Sequence, residues 1–143
     1  MAKLEVVRVV PLSPDAAWAA ASDLSRYEEW LSIHDGWRSD IPDELGEGTQ
    51  ISSVVSVKGL RNRVAWTVQK YAPPRELALK GSGKGGVKVS LTLTVAEKSA
   101  GTELAMRIDL GGAPLFGPVG SGVARALKGD IDSSLDTFER LFA

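Results

Sequence analysis

Apolar and polar residues alternate along most of the middle of the chain. Val87, Val89, Leu91, Leu93 and Val95 fall on one side of an extended segment, with Lys88, Ser90, Thr92 and Thr94 on the other, the period of two that a half-buried strand requires. Leu104, Met106, Ile108 and Leu110 repeat the pattern, as do Val64, Trp66 and Val68 before them. Turn signals at Lys58-Gly59, Pro73-Pro74, Gly81 to Gly86 and Ala100-Gly101 divide Thr49 to Leu110 into an antiparallel meander of four hairpin-connected strands. Lys3 to Val10, rich in β-branched residues and stopped by Pro11, predicts a first strand. A short edge strand is expected around Trp37 to Ile41, between the turn-rich Asp35-Gly36 and Pro42 to Gly48.

The period changes to three or four toward the C-terminus. Phe116, Val119, Val123, Leu127, Ile131, Leu135, Phe138 and Phe142 lie on one stripe of a long helix, and the apolar sheet face needs such a cover. The glycine-rich Gly111 to Gly122 leads into it. Two short helices are expected after strand one. Ser13-Pro14 reads as an N-cap followed by proline at the first helical position, ahead of the helix formers Ala16 to Ala21. Ser25 and Glu28 form a candidate capping box for a second helix over Arg26 to Leu31. The expected class is α+β: a curved antiparallel sheet of about seven strands, two short helices after strand one, and a long C-terminal helix over the sheet.

Length and composition fit one such unit. A chain of 143 residues should bury one sizeable core, and no internal repeat or linker divides it, so residues 1–143 are expected to form a single domain. The absence of cysteine removes disulfides, thiolate nucleophiles and thiolate metal ligands together. No apolar run approaches the roughly 20 residues that span a bilayer, and Met1 to Glu5 lacks the blocks of a signal peptide, so a cytoplasmic location without membrane insertion is expected. With 17 basic and 18 acidic side chains, the chain has no general attraction to phosphate backbones, and no nucleic-acid partner is expected.

The order strand, two short helices, meander, long helix resembles the START/Bet v 1-like helix-grip (SRPBCC) superfamily, especially its bacterial polyketide cyclase/dehydrase and lipid transport members. The resemblance spans nearly the whole chain. It is carried by Pro14-Asp15-Ala16-Ala17-Trp18, Ser22-Asp23-Leu24-Ser25-Arg26-Tyr27-Glu28-Glu29-Trp30, Gly48-Thr49, Tyr71-Ala72-Pro73-Pro74 and Leu77-Ala78-Leu79. A more specific similarity links the chain to an actinobacterial group described as toxins of type II toxin–antitoxin pairs. It runs through Trp30-Leu31-Ser32-Ile33-His34, Val57-Lys58-Gly59, Asn62-Arg63-Val64-Ala65-Trp66 and Pro114-Leu115-Phe116-Gly117-Pro118. The first resemblance implies a cavity between helix and sheet for a lipid- or polyketide-like molecule; the second implies a small antitoxin as a partner. Neither supplies a catalytic set to carry over.

The residues themselves narrow the chemistry. His34 is the only histidine, so any Ser-His-Asp triad must use it, yet it adjoins the Asp35-Gly36 turn and reads as a surface or pocket-rim residue. Asp35, Asp40, Asp43 and Glu44 lack the compact spacing of a metal site, and no metal or other cofactor is expected. Gly81-Ser82-Gly83-Lys84-Gly85-Gly86 lacks the GK[ST] ending of a phosphate loop and leads into a strand, so it reads as a hairpin turn. Lys58, Arg61 and Arg63 form a basic cluster that reads as a solvated hairpin.

Trp18, Trp30, Trp37 and Trp66 serve a core well, and Trp66, on an inward strand face, is the strongest candidate for a cavity wall. Taking Leu127 as zero at about 100° per residue, Ser134 falls near −20° and Gly120 near +20°, both at the centre of the apolar stripe. Ser134 either bonds back to the Asp130 carbonyl or is a polar anchor in an apolar site; Gly120 either allows close packing or leaves room. Gly129 falls about 160° away and faces solvent. The candidate cavity lining is therefore Trp66, Val68, Val89, Leu91, Leu93, Met106, Ile108, Val123, Leu127, Ile131 and Ser134; ligand sites typically occupy roughly 300–1,000 Å³, so a cavity smaller than a few hundred cubic ångströms weakens both the binding and the enzyme readings. The first functional reading is binding or transport of a small hydrophobic ligand. A cyclase or dehydratase ranks below it because the inward faces offer no acid–base pair, and a toxin acting through its outer surface is the third.

Overall fold

The computed structural model describes residues 2–42, 44–57, 60–112 and 118–143, with side chains at 2, 60, 84 and 118–120 left aside. Strand β1 (Ala2–Val10) is followed by helix α1 (Pro14–Ala21), a 3-10 turn (Leu24–Arg26) and the single-turn helix α2 (Tyr27–Trp30). Strands β2 (His34–Trp37), β3 (Gln50–Val57), β4 (Leu60–Ala72), β5 (Glu76–Ser82), β6 (Lys88–Lys98) and β7 (Gly101–Gly111) then lead to helix α3 (Pro118–Phe142). The four turns in Thr49 to Leu110 separate five strands, one more than the alternation had been read to give. With β1 and β2 they make a seven-stranded antiparallel sheet in the order β1-β7-β6-β5-β4-β3-β2.

That order explains the helix-grip shape. The meander runs from β2 to β7 by neighbours, and β1 closes against β7 along its whole length, from Ala2 opposite Leu110 to Val10 opposite Thr102. The two edge strands are consecutive in sequence, so α1 and α2 must bridge from one sheet edge to the other. Local chemistry starts these helices. Ser13 Oγ accepts the Ala16 N–H at 3.2 Å with Pro14 in the first turn. The expected Ser25–Glu28 box does not form; Asp23 accepts the Ser25 N–H at 3.1 Å and caps the 3-10 turn instead. A carboxylate two residues upstream reaches that donor within its own turn.

Helix α3 crosses the concave face, resting on β1, β3, β7 and α2. Leu127, Ile131, Leu135 and Phe138 of its stripe are buried and belong to one core cluster with Val10, Leu77, Leu93, Leu104 and Met106 of the sheet. Arg8 of β1 ties to Asp132 at 2.9 Å and to Asp136, two carboxylates one helical turn apart. Phe116, Lys58-Gly59 and Pro114 to Gly117, to which the sequence reading had assigned roles, lie outside the described residues.

Candidate functional site

Core packing is not uniform beneath α3. A cavity of about 70 Å³ remains there, lined from every strand from β2 to β7 and walled almost wholly by apolar side chains. The sheet contributes Trp37, Val55, Trp66, Leu79, Leu91 and Ile108, helix α3 contributes Val123 and Leu127, and the segment from α2 into β2 contributes Tyr27, Leu31, Ile33 and His34. Every layer of the fold therefore supplies part of the wall. Val55, Val57, Val89 and Val123 are the partly exposed aliphatic members, and they mark where the cavity approaches the surface.

Of the eleven residues expected to line a cavity, Trp66, Val89, Leu91, Ile108, Val123 and Leu127 are on the wall. Val68, Leu93, Met106, Ile131 and Ser134 are not; they are buried in the close-packed part of the core. The stripe's angular phase identifies the inward face of α3, but the gap lies along the earlier half of the helix, at Val123 and Leu127, and closes by Ile131. Ser134 takes the other course read for it, the bond back to the Asp130 carbonyl, and is not on the cavity wall. Its Oγ donates to Asp130 O at 2.7 Å and accepts the Ser32 N–H at 2.9 Å, so it fastens the segment after α2 to α3. The side-chain space at Gly120 lies outside the description.

Trp66 owes its position to its neighbours. Indole Nε1 donates to the buried Ser53 Oγ of β3 at 2.9 Å, so the ring is held without an unpaired polar atom. Trp37 is likewise satisfied through Nε1 to Leu24 O at 2.8 Å. Trp18 and Trp30 face elsewhere, against Tyr71 at 6.0 Å and Phe138 at 5.1 Å between ring centroids.

The sequence reading set His34 at the surface or a pocket rim and singled out neither Tyr27 nor Trp37 as a wall residue. Asp35-Gly36 is not a turn before the edge strand but part of it. His34 pairs with Val55 and Trp37 with Ser53, so Asp35 and Gly36 on β2 stand against Val54 alone on β3, with Gly36 at a φ of +100°. This is a bulge. Residues three apart face opposite sides of a regular strand, but here both rings reach the cavity with centroids 4.6 Å apart. The signal was present as a glycine inside a short strand pattern. Tyr27 joins them, 6.3 Å from His34 and 6.2 Å from Trp37 between centroids.

Tyr27 and His34 are the titratable side chains on the wall among the described residues, which amends the expectation that the inward faces hold no such pair. Burial, with a smaller push from Asp23, drives the Tyr27 phenol well above its ordinary value, so it stays protonated. Burial pulls His34 below its ordinary value and Arg38 adds to this, against the opposing pull of Glu28 and Asp35. Both Tyr27 Oη and His34 Nε2 are buried without a hydrogen-bond partner. Asp35 pairs with Arg61 at 2.6 Å, and among the described residues no group of three acidic or histidine side chains is placed to hold a metal ion. No described helix is long and apolar enough to cross a membrane.

The family described as polyketide cyclase / dehydrase and lipid transport matches residues 1–143. Two proteins of Mycobacterium tuberculosis strain H37Rv are similar throughout. The uncharacterized protein Rv1546 is 52% identical over 142 residues, covering 99% of each chain. Toxin Rv0910 is 50% identical over 143 residues, covering 100% of this chain and 99% of that one. A START superfamily protein from Mycobacterium smegmatis has the same fold, with a TM-score of 0.77 at 16% identity over 98% of this chain and 96% of its own. The chain belongs to the polyketide cyclase / dehydrase and lipid transport family.

Proposed function

We propose that this member of the polyketide cyclase / dehydrase and lipid transport family binds a small hydrophobic molecule between the sheet and the first half of α3. The observation that carries the reading is the apolar cavity itself, to which sheet, long helix and bridging segment all contribute wall residues. Protein interiors leave few voids larger than water, so a gap shared by three elements is a feature of how they meet. The family's description supports the same reading.

The size of the gap limits the ligand. At about 70 Å³ it is below the few hundred cubic ångströms under which the pocket readings lose weight, and below the roughly 150 Å³ cavity that takes up benzene, so the closed form counts against a resident ligand. A ring-sized ligand therefore enters only if the wall parts, and the partly exposed Val55, Val57, Val89 and Val123 are where it opens. Because Trp37 and Trp66 are on the wall, titration with fatty acids, sterols and flat polyphenols should change intrinsic fluorescence saturably for at least one class. Unchanged emission across that panel, with nothing bound in native mass spectrometry, overturns the reading.

A second reading draws on the relative named as a toxin: the protein acts as the toxin of a toxin–antitoxin pair and is held by a small antitoxin. Induced expression in the native host should then arrest growth, and a co-expressed neighbouring gene product should relieve the arrest. Harmless overexpression contradicts it.

A further inference from the structure

We propose that a second copy of this chain docks along the free edge of β1, antiparallel about Leu4, so that Lys3 of each copy faces Glu5 of the other.

The two edges of the sheet are built differently. β2 is four residues long and bulged at Gly36, which blunts it against strand addition. β1 runs nine residues in unbroken register with β7 and has no strand on its other side. On such an edge alternate N–H and C=O groups point away from the sheet, and among the described residues no further backbone bond reaches Ala2 to Val9. Another extended segment satisfies the whole row at once.

The charges on β1 favour its own copy as that segment. Lys3 and Glu5 are both exposed on the outer face, and directly opposed residues of an antiparallel pair share a face. Arg107 meets Glu5 at 3.1 Å from the β7 side, whereas Lys3 stands across from Asp109 and makes no ion pair among the described residues. A two-fold axis at Lys3 would set two lysines face to face, and one at Glu5 two glutamates; like charges directly opposite are destabilising. An axis at Val6 or Val7 would set Arg8 opposite Leu4 or Val6. It would also bring together the ends of β1 that Arg8 ties to Asp132 and Asp136 of α3, crowding the two helices. The axis at Leu4 crosses Lys3 with Glu5 twice, sets Leu4 against its own copy on the inner face, and keeps Arg8 and α3 outside the joint. Symmetry turns one favourable pair into two.

Sedimentation equilibrium of the wild-type chain at concentrations up to about 1 mM should show a reversible dimer. Lys3→Glu leaves glutamates facing each other across the joint, and Glu5→Lys leaves lysines, so each should weaken self-association about tenfold. An equal mixture of the two variants again opposes unlike charges and should form a heterodimer at wild-type strength, as should the variant carrying both exchanges. Each exchange also disturbs a neighbour on β7, Asp109 or Arg107, but that disturbance persists in the mixture and in the double variant, so recovery there reports the joint alone. Thermal melting checks that the variants are folded. A wild type that stays monomeric overturns the proposal and leaves the edge to a strand of another protein. A dimer that neither single exchange weakens, or that the mixture fails to restore, forms elsewhere on the molecule and overturns it equally.

Discussion

Gly81 of β5 stands directly across the ladder from Trp66 of β4, and a β-carbon at position 81 would lie 2.8 Å from the indole Cε3. It would also meet Val64 Cγ1 at 2.5 Å. The side chain missing at 81 is the space the indole occupies, so this glycine is required by close approach. Gly81→Ala should therefore push the ring toward the cavity and destabilise the protein by about 1–3 kcal/mol. Urea denaturation measures this; an unchanged midpoint contradicts the packing described.

Ser134 and Ile131 should both be intolerant, for different reasons. Ile131 is fully buried, and Ile131→Ala should cost about 2–5 kcal/mol. Ser134→Leu would fill a space only if a cavity lay beside it. Since Ser134 instead donates to Asp130 O and accepts the Ser32 N–H, the leucine should cost about 1–3 kcal/mol through overpacking, with the Ser32 N–H losing its acceptor as well. A leucine variant that melts at or above wild type would mean that this part of α3 is open.

The arrangement of the sheet was legible because its signals are local and repeated. Alternation from Val87 to Val95 and from Leu104 to Leu110, together with a stripe that shifts to helical spacing, specifies a sheet and its cover. The wall was half legible. Periodicity tells which face of α3 points inward, and so finds Val123 and Leu127, but it says nothing about where along the axis the packing gap falls. Ile131 and Ser134 share that face and sit in the closed part. His34 was legible only as a surface or pocket-rim residue, and Trp37 was out of reach for another reason: the bulge at Gly36 reverses the face that simple alternation assigns. Tyr27 lies in a one-turn helix, too short for periodicity to orient.

Burial of His34 gives stability a pH dependence of known sign. Its folded-state pKa is below the ordinary value, so the unfolded chain takes up the proton first as pH falls below about 6.5. Stability should drop through that window and stop dropping, for this group, once the folded state also protonates. His34→Gln removes this contribution. Melting temperatures measured between about pH 7.5 and 5 should show the difference between wild type and variant moving in the variant's favour as pH falls; a constant difference contradicts the assignment.

Gly129 offers the converse test on the outer face of α3. It is exposed, and nothing lies within 4 Å of a β-carbon built there. Gly129→Ala should stabilise the helix by about 1 kcal/mol without altering ligand affinity. A lower melting temperature would contradict the open space around position 129.

The central claim, that a ligand enters the space between the sheet and the first half of α3, is tested most directly by methyl-resolved NMR during titration with 2-naphthol. Methyl resonances of Val55, Val89, Leu91, Ile108, Val123 and Leu127, which wall the cavity, should shift together and saturate. Those of Val7 and Val9, exposed on β1, should stay in place. Shifts confined to Val7 and Val9, or a titration that leaves the wall methyls unmoved, would contradict the account.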